Sequence, residues 1–264
     1  MITFCSLYSG SSGNSILVGS NNTKILVDAG VSGKSIICAL EDINELPQNI
    51  KGIFITHEHI DHIKGAGIFS RKFDTPIYAN AETWCAMESQ LGKIKEHNIK
   101  VIDKREVYVG DLIVKGYNIS HDATNPMGYN IYCEDKKITI ATDLGYVSEE
   151  VKLAIKDSDI LLMESNHDVE MLKFGSYPYS LKQRVLSNIG HLSNDSCGEA
   201  LVEYLKKNSK SKKVFLGHLS RNNNFPELAY KTVEGILTDN GVSIGEDVDL
   251  KMTYRDKVSK LIEL

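Results

Sequence analysis

Four candidate metal ligands stand within six residues, His57-Glu58-His59-Ile60-Asp61-His62, directly behind the short run Ile53-Phe54-Ile55. A β-branched and aromatic run of this kind reads as a strand, which puts the cluster at a strand's C-terminal edge. Where a loop leaves a strand, side chains two apart point the same way. His57 and His59 therefore grip one ion, while Asp61 and His62, past the bend, reach a second. Imidazole and carboxylate donors suit zinc, manganese or iron and do not choose among them. A lone His-x-His pair would read as surface histidines in an acidic loop; the full string is too dense for that reading.

Three further donors each follow a strand-like run. His121 comes after Val114 to Ile119, Asp143 after Ile138 to Thr142, and His218 after Val214 to Gly217. Taken singly, each serves equally well as a turn residue; taken together they complete two coordination shells along one sheet edge. Asp28, in Val27-Asp28-Ala29-Gly30, sits between a strand and a helical pattern from about Ser32 to Leu40. It is either an outer-shell carboxylate supporting the histidine loop or a helix N-terminal turn residue.

The remaining pattern places these motifs. Ile2 to Leu7 and Ser15 to Val18 read as a hairpin around the small-residue turn Ser9 to Asn14. That turn either lines the pocket or simply reverses the chain. A helix is expected over Ile63 to Arg71, a strand over Pro76 to Ala79, a helix over Glu82 to Leu91, and several strands over 105 to 142 with turns at Gly110 and Asp135. Farther on, Ser148 to Ile155, Ser180 to Asn188, Ser196 to Lys206 and Glu227 to Leu237 read as helices. Ile160 to Met163, Val214 to Leu216 and Leu250 to Tyr254 read as strands. Both halves run from strands into alternating helix and strand, and no Pro/Gly/Ser linker divides them. The expectation is one α/β domain over residues 1–264: two mixed β-sheets packed together with helices outside, a four-layer αββα sandwich.

The string HxHxDH, a later histidine, an aspartate after a strand and a final histidine together resemble the metallo-β-lactamase superfamily. The resemblance implies His57, His59 and His121 on one divalent ion, Asp61, His62 and His218 on the other, and Asp143 bridging, with Asp28 as the early structural aspartate. Only 74 residues separate Asp143 from His218, too few for the long inserted domain of the β-CASP nucleases. Ser9-Gly10-Ser11-Ser12-Gly13-Asn14-Ser15, Ser120-His121-Asp122-Ala123, Glu164-Ser165-Asn166-His167-Asp168, Gly190-His191-Leu192-Ser193-Asn194 and Gly217-His218-Leu219-Ser220-Arg221 instead resemble the small WalJ, or YycJ, family. That resemblance implies a DNA exonuclease acting from the 5′ end.

On this reading Asp61 and His191 are catalytic, and a hydroxide bridging the two ions attacks phosphorus. His191 donates to a phosphate oxygen or protonates the departing 3′ oxygen. Ser193 and Asn194, just before a helix, are either a phosphate clamp or a plain N-cap. Arg221 offers a guanidinium fork for phosphate, and Lys206, Lys207, Lys210, Lys212 and Lys213 are either a DNA contact or a solvated helix end. His167 follows a strand and is left without a role. The same dinuclear site would also serve a small-molecule thioesterase or lactonase.

Composition narrows the setting. The N-terminus has no basic region followed by an apolar run, and no apolar stretch approaches the ~20 residues of a membrane span, so a cytoplasmic protein without a membrane partner is expected. Five scattered cysteines, none in a CxxC pair, argue against a disulfide framework or a zinc ribbon. The formal charge of −5 counts carboxylates that metal would neutralise, so it does not settle whether the substrate is DNA.

Overall fold

A computed structural model describes residues 1–103, 106–206 and 212–264. The first half holds strands β1 (Ile2–Tyr8), β2 (Ser15–Ser20), β3 (Lys24–Val27), β4 (Ile50–Phe54), β5 (Ile77–Ala79) and β6 (Ile99–Val101). Between them lie helices α1 (Gly33–Asp42), α2 (Ile60–Ile63), α3 (Ala66–Phe73) and α4 (Ala81–Leu91). The second half holds β7 (Glu106–Val109), β8 (Leu112–Asn118), β9 (Met127–Cys133), β10 (Lys136–Ala141), β11 (Ile160–Glu164), β12 (Lys212–Gly217), β13 (Val248–Met252) and β14 (Ile262–Glu263). Its helices are α5 (Glu149–Ile155), α6 (Val169–Phe174), α7 (Tyr179–Val185), α8 (Asn194–Lys206) and α9 (Pro226–Asp239).

The strands form two seven-stranded sheets, ordered β14-β1-β2-β3-β4-β5-β6 and β13-β12-β11-β10-β9-β8-β7. In each, antiparallel pairing gives way to parallel pairing, at β3–β4 in one and β10–β11 in the other. Period-two alternation sorts the side chains. Ile25 and Val27 point between the sheets and Leu26 points out toward α1, α3 and α4; Ile160 and Leu162 point in while Leu161 and Met163 face α5, α8 and α9. Three apolar layers result, one between the sheets and one under each helical face, which is the expected αββα sandwich. Burial of this apolar area is the main favourable term in its stability.

Local differences from the sequence reading have local causes. The helix expected over Ile63 to Arg71 is two helices broken at Lys64-Gly65, because Gly65 crosses the chain so closely that a Cβ there would lie 2.3 Å from the Val31 carbonyl oxygen. The α7 helix ends at Val185, short of Asn188, and its start makes no side-chain cap bond. The last long strand runs over Val248–Met252 rather than Leu250 to Tyr254, set by its pairing with β12. The short α6 and β14 were not expected; α6 is capped by Asp168, which accepts from the Met171 N–H, and β14 pairs with β1.

Candidate metal centre

The expected ligands converge at one end of the sandwich, on loops that leave strand C-terminal ends, where α/β sheets characteristically place their sites. Asp28 follows β3, His57 to His62 follow β4, His121 follows β8, Asp143 follows β10 and His218 follows β12. Three of these residues adopt left-handed backbone: Asp28 at φ 61°, Asp143 at φ 59° and His218 at φ 56°. Non-glycine residues held there store strain of about 1–3 kcal/mol each, and such strain gathers at functional sites.

Four histidines are oriented from behind, each through Nδ1. His57 faces Thr56 Oγ1 at 3.0 Å, His62 donates to Asp28 Oδ2 at 2.7 Å, His121 to the Gly190 carbonyl at 3.1 Å, and His218 to Glu164 Oε1 at 2.8 Å. These outer bonds fix the tautomer and leave each Nε2 lone pair facing the centre. His59 turns its Nδ1 inward, 3.1 Å from His57 Nε2 and 3.3 Å from His121 Nε2. One ring nitrogen cannot hydrogen-bond to both, so three lone pairs meet where a cation belongs.

The second group sits beside the first. Asp61 Oδ2 lies 3.6 Å from His62 Nε2 and 3.8 Å from His218 Nε2. Asp143 stands between the groups, with Oδ2 3.4 Å from His62 Nε2 and Oδ1 3.7 Å from His121 Nε2. Asp143 Oδ2 and His218 Nε2 are buried without a hydrogen-bond partner, a costly arrangement unless something binds them. The donor sets His57/His59/His121, Asp61/His62/His218 and His57/His62/Asp143 each bring their ligand atoms within 4.8 Å of one another. The chemistry and placement of these groups fit divalent metal.

The electrostatics divide the two groups: without metal the first keeps the His57 and His121 rings neutral, while the carboxylates around the second draw protons that a cation would displace. Burial, reinforced by His62, His121, His59 and His218, holds His57 well below the usual histidine range. Burial also lowers His121, against the pull of Asp143. For His62 burial works against the charge, but Asp28, Asp143 and Asp61 outweigh it and lift the ring to about 9. His218 is likewise raised despite its burial, by Asp143, Asp61 and Glu164. Asp61 is held below the carboxylate range because His62 and His218 overcome its burial.

The sequence reading missed three supports. Thr56 donates to Asp28 and touches the Nδ1 atoms of His57 and His62. Asn14, in the Ser9 to Ser15 turn, reaches His62 Nε2 at 3.2 Å, and Ser9 Oγ accepts from the His218 N–H at 2.9 Å, so this turn braces the ligands as well as reversing the chain. Glu164 is wholly buried; its Oε1 accepts from both His191 Nδ1 and His218 Nδ1 at 2.8 Å, and its Oε2 accepts from the Leu144 and Leu192 N–H groups. Those histidines hold Glu164 ionised in spite of its burial. Its place at the end of β11 and at the head of the motif Glu164-Ser165-Asn166-His167-Asp168 marked it, but neither gave it a role.

Asp28 is the hub of the outer layer, accepting also from the Thr56 N–H at 2.8 Å. His191 is partly exposed, with its Nε2 edge free of the Glu164 bond. The start of α8 is more self-contained than a clamp requires. Ser193 Oγ accepts from the Ser196 N–H, the Asn194 N–H goes to the His167 carbonyl, and the buried Asn194 side chain is spent on Ser165 and Asn224. Ser193 is thus an N-cap and Asn194 a structural bond-maker. Arg221 is exposed on the loop after His218. Of the basic run, Lys207 and Lys210 lie outside the described residues, and Lys212 is buried. His167 is buried with both ring nitrogens unpartnered, and burial lowers its pKa to about 4.

The metallo-beta-lactamase superfamily profile matches residues 8–218, and the chain belongs to that superfamily. Solved structures of the fold include YhfI from Bacillus subtilis, with a TM-score of 0.72 at 14% identity over 98% of both chains. Zn(2+)-bound PqqB from Methylobacterium extorquens gives 0.73 at 14% identity over 100% of both. Within the superfamily the chain is a member of the WalJ/YycJ family. It is 42% identical to the exodeoxyribonuclease WalJ of Streptococcus pneumoniae serotype 2, over 98% of this chain and 96% of that one. It is 41% identical to the exodeoxyribonuclease YycJ of Bacillus anthracis, over 94% and 96%.

Proposed function

We propose that the protein is a metal-dependent DNA exonuclease that works from the 5′ end. The observation that carries this is the convergence of seven donor groups, in a chain whose relatives at 41% and 42% identity bear the name exodeoxyribonuclease. His57, His59 and His121 would hold one divalent ion, Asp61, His62 and His218 a second, and Asp143 both; zinc, manganese and iron all suit these donors. When bound, such a pair supplies an acidified water and Lewis acidity toward phosphoryl oxygens.

The chain's own residues do the rest. Asp61, braced between His62 and His218, orients the metal face toward the substrate. His191 donates Nδ1–H to Glu164, which fixes the ring so that Nε2 is the edge that passes a proton to the departing 3′ oxygen. Arg221 meets the phosphate backbone, and the capped turn at Ser193 and Asn194 holds His191 in place.

The whole of residues 1–264 acts as one domain without a β-CASP insertion, supported by the pairing of β14 with β1 across the length of the chain. No helix among the described residues is long and apolar enough to cross a membrane, and the five cysteines are unbonded; both support a cytoplasmic setting. Asp61→Ala tests the assignment. Turnover of DNA should vanish while circular dichroism and thermal midpoint stay close to wild type. Retained turnover would overturn it, and so would a lactone or glutathione thioester cleaved at least as well as DNA.

A further inference from the structure

The chain leaves the metal centre at His167 and returns to it at His191. Both feet of this excursion are fixed to the site. His167 and Ser193 are joined by a β-bridge, and the Asp168 N–H donates to the Asn223 carbonyl at 2.9 Å. At the return, Ser120 Oγ donates to the Asn188 carbonyl at 2.6 Å, the Gly190 carbonyl orients ligand His121, and Arg184 grips Asp122. The span between is a strap made of α6 and α7, and each helix buries a single residue, Leu172 and Val185. The two most exposed large apolar side chains among the described residues stand on it, Phe174 at 84% and Tyr179 at 77%. Leu186 and Ile189 are exposed beyond them, toward the foot at the metal centre. Single exposed apolar residues are ordinary; four of them on one segment rooted at both ends in a reactive site point to a binding surface.

We propose that this strap is the strand grip, on which Phe174 and Tyr179 stack against unpaired nucleobases of the DNA strand whose phosphodiester lies at the metal centre. The proposal rests on the nuclease reading and deepens it. Every base offers a π-face, so aromatic stacking holds a strand without regard to sequence. Inside a duplex those faces are covered by neighbouring pairs, so the strap favours single strands and frayed ends. Lys173, exposed on the same strap, gives positive charge that a phosphate backbone matches. The exposed acid Glu170 pairs with Lys173 only at the surface, where phosphate readily displaces it.

The test compares metal-loaded wild type with the double variant Phe174→Ala/Tyr179→Ala. Bis(p-nitrophenyl) phosphate, too small to reach the strap, reports the metal centre; 2-aminopurine in a single-stranded oligonucleotide reports stacking by its quenching. The expected result is unchanged bis(p-nitrophenyl) phosphate turnover, loss of the quench, and a KM for single-stranded DNA raised about tenfold or more. Unchanged KM and quench in the variant would overturn the strap while leaving the nuclease reading intact. So would a wild-type dimer that the double variant dissociates in sedimentation without any change in DNA binding, since the occupant would then be a second copy. A wild type that cleaves neither DNA nor the small diester would instead sink the nuclease reading, and quenching by the protein would still judge the strap.

Discussion

Glu164→Gln separates proton donation from metal holding. The carboxylate shares one oxygen between His191 and His218, each at 2.8 Å. A glutamine keeps the shape and one acceptor oxygen but removes the charge. Hydrogen bonds to a charged group contribute about 1.5–3 kcal/mol against about 1 for neutral pairs, so the two lost charge-assisted bonds amount to about 1–4 kcal/mol. Expressed in the transition state, that is a fall in kcat of about 5-fold to 10³-fold for DNA, whose departing alkoxide needs a proton. Bis(p-nitrophenyl) phosphate releases a stable phenolate and needs none, so its kcat should fall by the smaller share that passes through His218 and the metal, about 2- to 30-fold. The assay is kcat on both substrates with bound metal quantified alongside. Equal losses on the two would refute His191 as the proton donor, and full DNA activity would refute any role for the dyad.

Gly30 lies under the metal loop, where a Cβ would meet the Asp61 carbonyl oxygen at 1.6 Å. Gly30→Ala should therefore cost about 2 kcal/mol or more and reduce bound metal, read by thermal midpoint and metal analysis. Gly235, in α9, has nothing within 4 Å of its would-be Cβ, so Gly235→Ala should stabilise by about 0.5–1 kcal/mol in a denaturant titration. His167 is kept neutral by burial, its pKa lowered from 6.5 to about 4. Between those values the unfolded chain binds the proton and the folded one does not, so stability falls as pH falls through that window, by up to about 3 kcal/mol. Metal-free His167→Gln should lose correspondingly less thermal midpoint than wild type between pH 7 and pH 5, and an equal loss would contradict the assignment.

The ligand string was legible because its donors are adjacent in sequence and follow a strand, so spacing alone brings them together. His121, Asp143 and His218 were legible only as a set, since each is also an ordinary turn residue until the sheets are assembled. The sandwich could be read from the order of elements, strands first and then helix and strand in alternation in both halves, and runs such as Lys24–Val27 and Ile160–Glu164 are nearly all apolar, as strands covered on both faces are. Glu164 was opaque, because an acid at a strand's end looks alike whether it faces solvent or is buried beneath two histidines. Ser193 and Asn194 show the converse limit: a polar pair before a helix has the same letters as a cap or as a clamp, and only its bonding to Ser196, Ser165 and Asn224 decides. The break at Gly65 depends on a chain crossing at Val31, distant in sequence from the helix it interrupts.

End-labelled DNA tests most directly whether the protein is a dinuclear nuclease acting from the 5′ end. Metal-replete wild type should release labelled mononucleotide at once from 5′-labelled strands and only late from 3′-labelled ones, and His59→Ala and Asp143→Ala should release none. Early release from the 3′ label would contradict the polarity, and undiminished release by either variant would contradict the metal centre.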